Sequence, residues 1–337
     1  MRDISLVKLL PVEPRVPFIS LRMAAAVLST LALIASAFLF ATRNLNYGID
    51  FTGGTILEVD TGNQPPLEDI RTRLGQEIGG IGLQTIAPRP GANSDHDYVR
   101  IAIPLQEEGE EGAAVQQRAL ANIQNALGDV IPDLSADACG PDTPAPCVRG
   151  QDVVGSKVSG ELRRKGLLAI GIALLMVLVY IWFRFEWQFA AGAVIALFHD
   201  VFLTIGVFSL TRIEFNLSII AAILTIVGYS LNDTVIVYDR IRENMRKYKK
   251  MAMLELINLS INDTLSRTIL TSMTTLMALI ALYVLGGPGL RGFSFAMIWG
   301  VMVGTYSSIF VASPLLLLLG VRRGSQTETP VAKSETA

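Results

Sequence analysis

Gly228-Tyr229-Ser230-Leu231-Asn232-Asp233-Thr234-Val235-Ile236-Val237-Tyr238-Asp239-Arg240-Ile241-Arg242-Glu243-Asn244 begins inside an apolar run and ends in a basic one. Across 215–238 Asp233 is the only charged side chain, and a run of that length reads as a helix that crosses a membrane. A bare carboxylate at such a depth costs about 2.5–3.5 kcal/mol, so Asp233 must be paired, hydrated or protonated. Arg267, which opens the next apolar run at 268–290, is the nearest candidate partner. Asp239 follows Asp233 by about 9 Å of helix, which places both groups near the same membrane surface. One reading of Asp233 and Arg267 is an ion pair that locks two helices. The other is a proton or ion relay, because an acid facing the interior of a membrane bundle is functional by default. Low dielectric and a nearby arginine act on its protonation in opposite senses, which makes it sensitive to small movements.

Outward from that stretch, composition sets the class. Of 337 residues, 51% are hydrophobic and 17% charged, against roughly 45–50% and 25% in soluble domains. The chain reads as an integral membrane protein. A net charge of −2, from 28 Lys+Arg and 30 Asp+Glu, gives no global bias toward nucleic acid. Cys139 and Cys147 enclose Gly-Pro-Asp-Thr-Pro-Ala-Pro. A disulfide within that loop is expected if it lies outside the cytoplasm, two free thiols being the alternative, and the spacing matches no zinc pattern.

Residues 1–22 read as a cytoplasmic N-terminus and 23–42 as a first transmembrane helix, an uncleaved signal anchor with its basic end inside. From 43 to 165 the composition is that of a soluble domain. Its expected elements are a strand at Thr55–Asp60, a helix at Leu67–Ile78, strands at Leu83–Ala87 and Tyr98–Ile103, a helix at Ala113–Leu127 and a strand at Cys147–Val154. That β-α-β-β-α-β order is the ferredoxin-like pattern, so an α+β domain lies between helices one and two. Glu107–Glu111 reads as a solvated loop. Five further spans make up a bundle over 166–322: Gly166–Phe183, 187–211, 215–238, 268–290 and 292–321, with Gly286-Gly287-Pro288-Gly289 breaking the fifth helix. With six spans both termini share a side. The basic residues Arg2, Lys8, Arg15, Arg22, Arg184, Arg240, Arg242, Arg246, Lys247, Lys249, Lys250, Arg322 and Arg323 put that side in the cytoplasm, with 239–266 as a cytoplasmic hairpin or amphipathic helix and 323–337 as a disordered tail. The soluble domain is then periplasmic.

Several constellations qualify as ion-path lining. Thr264, Arg267, Thr271 and Thr274 recur at helical spacing on one face, although a membrane threonine usually bonds its own helix. His199 and Asp200 place a second acid at the centre of the third span, as a relay partner or as a satisfied structural network. Asn232 adjoins Asp233, and Asp263, one turn before Arg267, competes with Asp233 for the guanidinium. Gly300, Gly304, Ser308 and Ala312 recur every four residues and read as a packing face rather than a site. Gly48, Gly53 and Gly54 read as a hinge where the first span enters the outer domain, or simply as a tight turn into a strand. No phosphate-binding loop, metal cluster or nucleophile motif is present, so neither an enzyme, a cofactor nor ATP bound by this chain is expected.

Tyr47-Gly-Ile-Asp-Phe-Thr-Gly-Gly54, Phe198-His-Asp-Val201, Val227–Asn244, Leu265-Ser-Arg-Thr-Ile-Leu-Thr-Ser272 and Gly304–Pro314 together resemble the SecF family, the membrane subunit of the SecDF accessory complex of bacterial protein export. The resemblance runs from about residue 15 to 322, and its 227–244 motif is highly specific. It implies one half of an RND-like, pseudo-symmetric transporter in the bacterial inner membrane, whose other half is SecD. The implied partners are also the SecYEG channel, YajC, YidC, membrane lipids and the translocating preprotein. The implied activity is use of the proton gradient, or of sodium, to draw preproteins outward, with Asp233 and Arg267 taking part in ion passage. Asp263 departs from the family's usual Gln, and the Cys139–Cys147 insert is not part of its pattern. A translocon scaffold without ion coupling, or half of a small-molecule exporter, are the competing classes; a scaffold needs neither the buried acid nor the threonine face.

Overall fold

The computed structural model describes residues 16–62, 67–77, 82–86, 96–105, 121–123, 125–128, 131, 135–138 and 146–321. The N-terminal residues 1–15, the acidic stretch Glu107–Glu111, residues 113–120 of the expected second helix, Cys139 and the 323–337 tail lie outside the described residues.

After a 3-10 turn at Phe18–Leu21, α1 runs over Arg22–Arg43. The outer domain follows: α2 Ile49–Thr52, β1 Gly54–Gly62, α3 Leu67–Glu77, β2 Gly82–Ile86, β3 Asp97–Pro104, the helical residues 121–123 and 125–128 (α4), β4 Ser135–Ala138 and β5 Cys147–Val154. The sheet order is β2-β3-β1-β5-β4. Pairings β1–β3, β1–β5 and β2–β3 are antiparallel, which is the ferredoxin-like arrangement. One element departs from expectation: β4, four residues with no hydrophobic alternation to betray it, adds a parallel edge strand to β5. Alternate residues of β1 and β3 build the core of this domain, where Leu57, Val59, Val99, Ile101 and Ile103 are sealed under Ile70 of α3 and Leu127 of α4.

The bundle comprises α5 Ser156–Arg184, α6 Trp187–Thr211, α7 Leu217–Lys247, α8 Met253–Leu285, α9 Pro288–Ser307, a π-helical stretch at Ser308–Ala312 and α10 Ser313–Leu318. Among the described residues six helices are long and apolar enough to cross a membrane: Phe18–Arg43, Lys157–Arg184, Trp187–Thr211, Leu217–Lys247, Met253–Leu285 and Gly289–Leu318. The break expected near Gly286 is found, with Pro288 in the first turn of α9. Helices α7 and α8 reach past their apolar runs and meet at a tight turn near Lys249, so 239–266 is a hairpin whose arms continue the membrane helices.

Small residues set the helix spacing. A Cβ on Gly300 would lie 2.3 Å from Ile226 Cγ1, and one on Gly304 3.1 Å from Ser230 Cβ, so the stripe seats α9 directly on α7. Gly206 meets Ser36 of α1 in the same way, and Gly192 leaves room for the Tyr238 hydroxyl, which donates to the Ala312 carbonyl at 2.9 Å. Two apolar clusters fill the bundle. One is centred on Tyr238, Phe185 and Phe189; the other, nearer the outer domain, on Phe208, Phe215 and Phe51.

Candidate ion site in the membrane bundle

Helix α7 turns Asp233 inward, where it is 3% exposed, and leaves Asn232 outside. Thr268 Oγ1 of α8 donates to Asp233 Oδ1 at 3.1 Å, and Ser308 Oγ of the π-helical stretch donates to Oδ2 at 3.4 Å. Asp233 is thus held by neutral hydroxyls from two other elements. Arg267 makes no ion pair with it. One residue before Thr268, it points to the exposed side of α8. Sequence proximity brought Arg267 near the acid, but helical rotation of about 100° per residue gave the contact to its neighbour.

Asp263 likewise does not compete for Arg267. It pairs with Arg240 at 2.8 Å and accepts from Asn244 Nδ2 at 3.1 Å, tying α7 to α8 at the hairpin end. Threonines 264, 271 and 274 bond carbonyls of their own helix: Thr264 to Ser260, Thr271 to Arg267 and Thr274 to Leu270. Thr264 is buried and the other two are exposed. The expected row of liganding hydroxyls therefore does not face Asp233, and Thr268 takes the role instead.

The second acid sits on α6, beside α7 and α9. His199 Nδ1 lies 2.9 Å from Asp200 Oδ1, and its Nε2 lies 3.2 Å from Ser29 Oγ of α1. Ser307 Oγ donates to Asp200 Oδ2 at 2.8 Å, and Ser230 Oγ donates to the same oxygen. Ser29 in turn contacts the Tyr306 hydroxyl at 3.0 Å. Asp200 is 1% exposed and His199 3%. Residues read from the sequence only as packing, or not singled out, supply these contacts: Ser308, Ser307, Ser230, Thr268 and Ser29. The small-residue stripe of the last span pointed to Ser308 alone; Ser29, Ser230, Thr268 and Ser307 carried no signal that sets them apart from other hydroxyls.

At the end of the bundle next to the ferredoxin-like domain, the segment after α1 is tied to the α6–α7 loop. Gly48 N–H donates to the Phe215 carbonyl at 2.9 Å, Phe215 N–H to the Asn46 carbonyl at 2.7 Å, and Leu217 N–H to Asp50 Oδ2 at 2.9 Å. Gly48 has φ −73°, which other residues adopt; what it lacks is room, since a Cβ would lie 2.6 Å from Glu214 Oε1. Gly53 and Gly54 do use positive φ, +73° and +132°, and a Cβ on Gly54 would strike the Ile103 carbonyl at 2.2 Å. Arg100 of β3 reaches both Glu58 at 3.3 Å and Glu214 at 3.5 Å, so one guanidinium joins the outer domain to the bundle. Cys147 is in a disulfide.

Six apolar helices around two buried carboxylates, with a ferredoxin-like domain inserted after the first, define a polytopic membrane protein of RND-like architecture. The family model for the SecD/SecF protein export membrane protein C-terminal region matches residues 142–322, and that for the SecD/SecF GG motif matches 38–64. The protein translocase subunit SecF of Cereibacter sphaeroides is 42% identical over 310 residues, covering 92% of this chain and 91% of that one. SecF of Vibrio alginolyticus is 40% identical over 317 residues, with 94% and 93% covered. The crystal structure of SecDF from Thermus thermophilus superposes with a TM-score of 0.73 at 33% identity over 90% of this chain, which spans 38% of that longer chain. The chain belongs to the SecF family.

Proposed function

We propose that this chain is the SecF half of an inner-membrane complex that uses the proton-motive force to assist preprotein translocation through the Sec channel. SecD supplies the other half, SecYEG is the channel served, and YajC and YidC are accompanying subunits. Both termini and the α7–α8 turn lie in the cytoplasm, and the ferredoxin-like domain lies in the periplasm. Asp233 carries the ion, and Gly53-Gly54 let the outer domain move against the bolted segment Asn46–Thr52. Arg267 acts from the exposed face of α8, across the junction with SecD.

The observation that carries the reading is Asp233 itself: a carboxyl 3% exposed in an otherwise apolar span, with hydroxyl donors and, among the described residues, no cation to fix its charge. A scaffold would gain nothing from such a group, since an apolar residue of similar volume packs as well without the desolvation cost. Asp233→Asn preserves shape and one acceptor oxygen. In membrane vesicles carrying the assembled complex, it is expected to leave ATP-driven export intact and to remove the gradient-dependent increment. Full gradient-stimulated export by the assembled Asn variant would return the protein to the scaffold class.

A further inference from the structure

Asp233 is one of two buried acids among the described residues of the bundle, and the proposed function uses only that one. The other, Asp200, shares no helix with it, yet the two are approached by consecutive residues: Ser307 donates to Asp200 and Ser308 to Asp233. Side chains of consecutive helical residues diverge by about 100°, so this pair spans the wedge between α6 and α7. Along α7, Ser230, also a donor to Asp200, is placed one turn before Asp233 on the same face. The π-helical stretch begins at Ser308, whose carbonyl accepts the Ser313 hydroxyl at 2.7 Å. Single π-turns inside α-helices are rare and concentrate at functional sites.

On the far side of Asp200 the arrangement is that of a shuttle. Both imidazole nitrogens of His199 are engaged, Nδ1 by Asp200 and Nε2 by Ser29. A proton can therefore arrive at one nitrogen and leave from the other. Ser29 and His199 also line a groove of about 820 Å³ between α1, α6 and α10 that extends to Arg22 at one end of the bundle. The remaining titratable group facing this network is Tyr306, through Ser29.

We infer that His199 and Asp200 form a second proton site, joined to Asp233 through Ser307 and Ser308, so that the bundle holds a two-acid relay. A proton taken up at His199 Nε2 releases the Nδ1 proton to the Asp200 carboxylate. Protonated Asp200 then passes its proton to the Asp233 carboxylate through the serine hydroxyls. Each oxygen on the way accepts one proton and gives up its own, which leaves the hydrogen bonds reversed and His199 in the Nε2–H tautomer; the hydroxyls must rotate back and the imidazole must regain its Nδ1 proton before the next transfer. Transfer requires the two hydroxyls to turn toward each other, since at rest Ser307 Oγ bonds Asp200 and the Gly304 carbonyl while Ser308 Oγ bonds Asp233 and the Thr305 carbonyl.

The inference rests on the ion-coupled reading above, and the experiment separates the two. Complex assembled in vesicles, with carboxyl-¹³C aspartate, is compared for wild type, Asp200→Asn, Asp233→Asn and Ser307→Ala/Ser308→Ala by gradient-dependent export and by infrared difference spectra on a pH jump. Expected are two protonated-carboxyl bands, each lost with its own acid. The gradient-dependent increment should fall at least about tenfold in Asp200→Asn and severalfold in the double serine variant, as for removal of a proton-transfer group. Stimulation at the wild-type level in Asp200→Asn while Asp233→Asn loses it overturns the relay and leaves the function standing. An Asp200 band that never changes with pH also overturns it, and the serine variant decides the matter if Asp200→Asn fails to assemble. Full stimulation in both acid variants overturns both readings.

Discussion

Gly206 and Gly228 lie in neighbouring helices and would treat a methyl group oppositely. A Cβ on Gly206 would sit 2.1 Å from Ser36 Oγ and 2.8 Å from its Cα, so α1 would have to move off α6; one on Gly228 meets nothing within 4 Å. Overpacking of this kind costs about 1–3 kcal/mol. Alanine in place of an unhindered helical glycine gains roughly 0.5–1 kcal/mol. Thermal unfolding in detergent should therefore show Gly206→Ala less stable than the parent and Gly228→Ala equal or more stable; equal tolerance would mean that α1 is not seated on α6 as described. The same contrast explains what was legible at this scale. Asp233 announced itself because it is a charge in an apolar run, and so did Asp200. Their partners did not, because serines and threonines are scattered through every helix. Which hydroxyl meets an acid depends on helix rotation and crossing, and these turned Thr268 inward and Arg267 outward.

Among elements, the junction of outer domain and bundle gives a pH prediction. Burial pushes the Glu214 carboxyl above the usual glutamate range; the Arg100 guanidinium opposes this and the Asp50 carboxyl adds to it. An acid whose value is higher in the folded junction than in the open one favours the closed form when protonated. That contribution is complete below the ordinary glutamate value of about 4.3 and is lost as pH rises through the raised one. Amide exchange at Gly48 and Phe215, which hold the junction through their N–H groups, should slow relative to intrinsic rates as pH falls across this window. Glu214→Gln should flatten the dependence, and an unchanged slope in that variant would assign it to another group. The elements themselves were largely readable, since period-two alternation in 55–60 and 98–103 and the long apolar runs do not depend on tertiary context. The edge strand β4 was not, being too short to show a period, and the hairpin of α7 and α8 extends through charged sequence because Arg240, Asp263 and Asn244 pair there rather than face water alone.

For the whole molecule, α5 and α8, two of the three sparsely covered spans, differ in what they show to their surroundings. Helix α5 exposes Leu167, Ile172, Leu175 and Trp182, and across 166–183 carries no charge, a surface suited to lipid. Helix α8 exposes Leu270, Met273 and Met277, but beside them Arg267, Thr271 and Thr274. The threonines are satisfied within their helix, so they do not decide the matter. Arg267 does: on lipid it would cost about 2.5–3.5 kcal/mol at full depth, whereas a facing carboxylate or carbonyl from another chain removes most of that penalty. The solved SecDF chain on which this one superposes is longer, and this chain spans 38% of it. In the assembled complex, Thr274→Cys should crosslink to the partner subunit and resist a lipid-phase thiol reagent, while Ile172→Cys should react with that reagent freely. Under the proposed function, Arg267→Ala should weaken assembly less than it weakens gradient-driven export; equal losses would make the arginine an interface contact alone. Thr274→Cys that is labelled from lipid as readily as Ile172→Cys, with no crosslink, would place α8 at the periphery and remove the partner from this face.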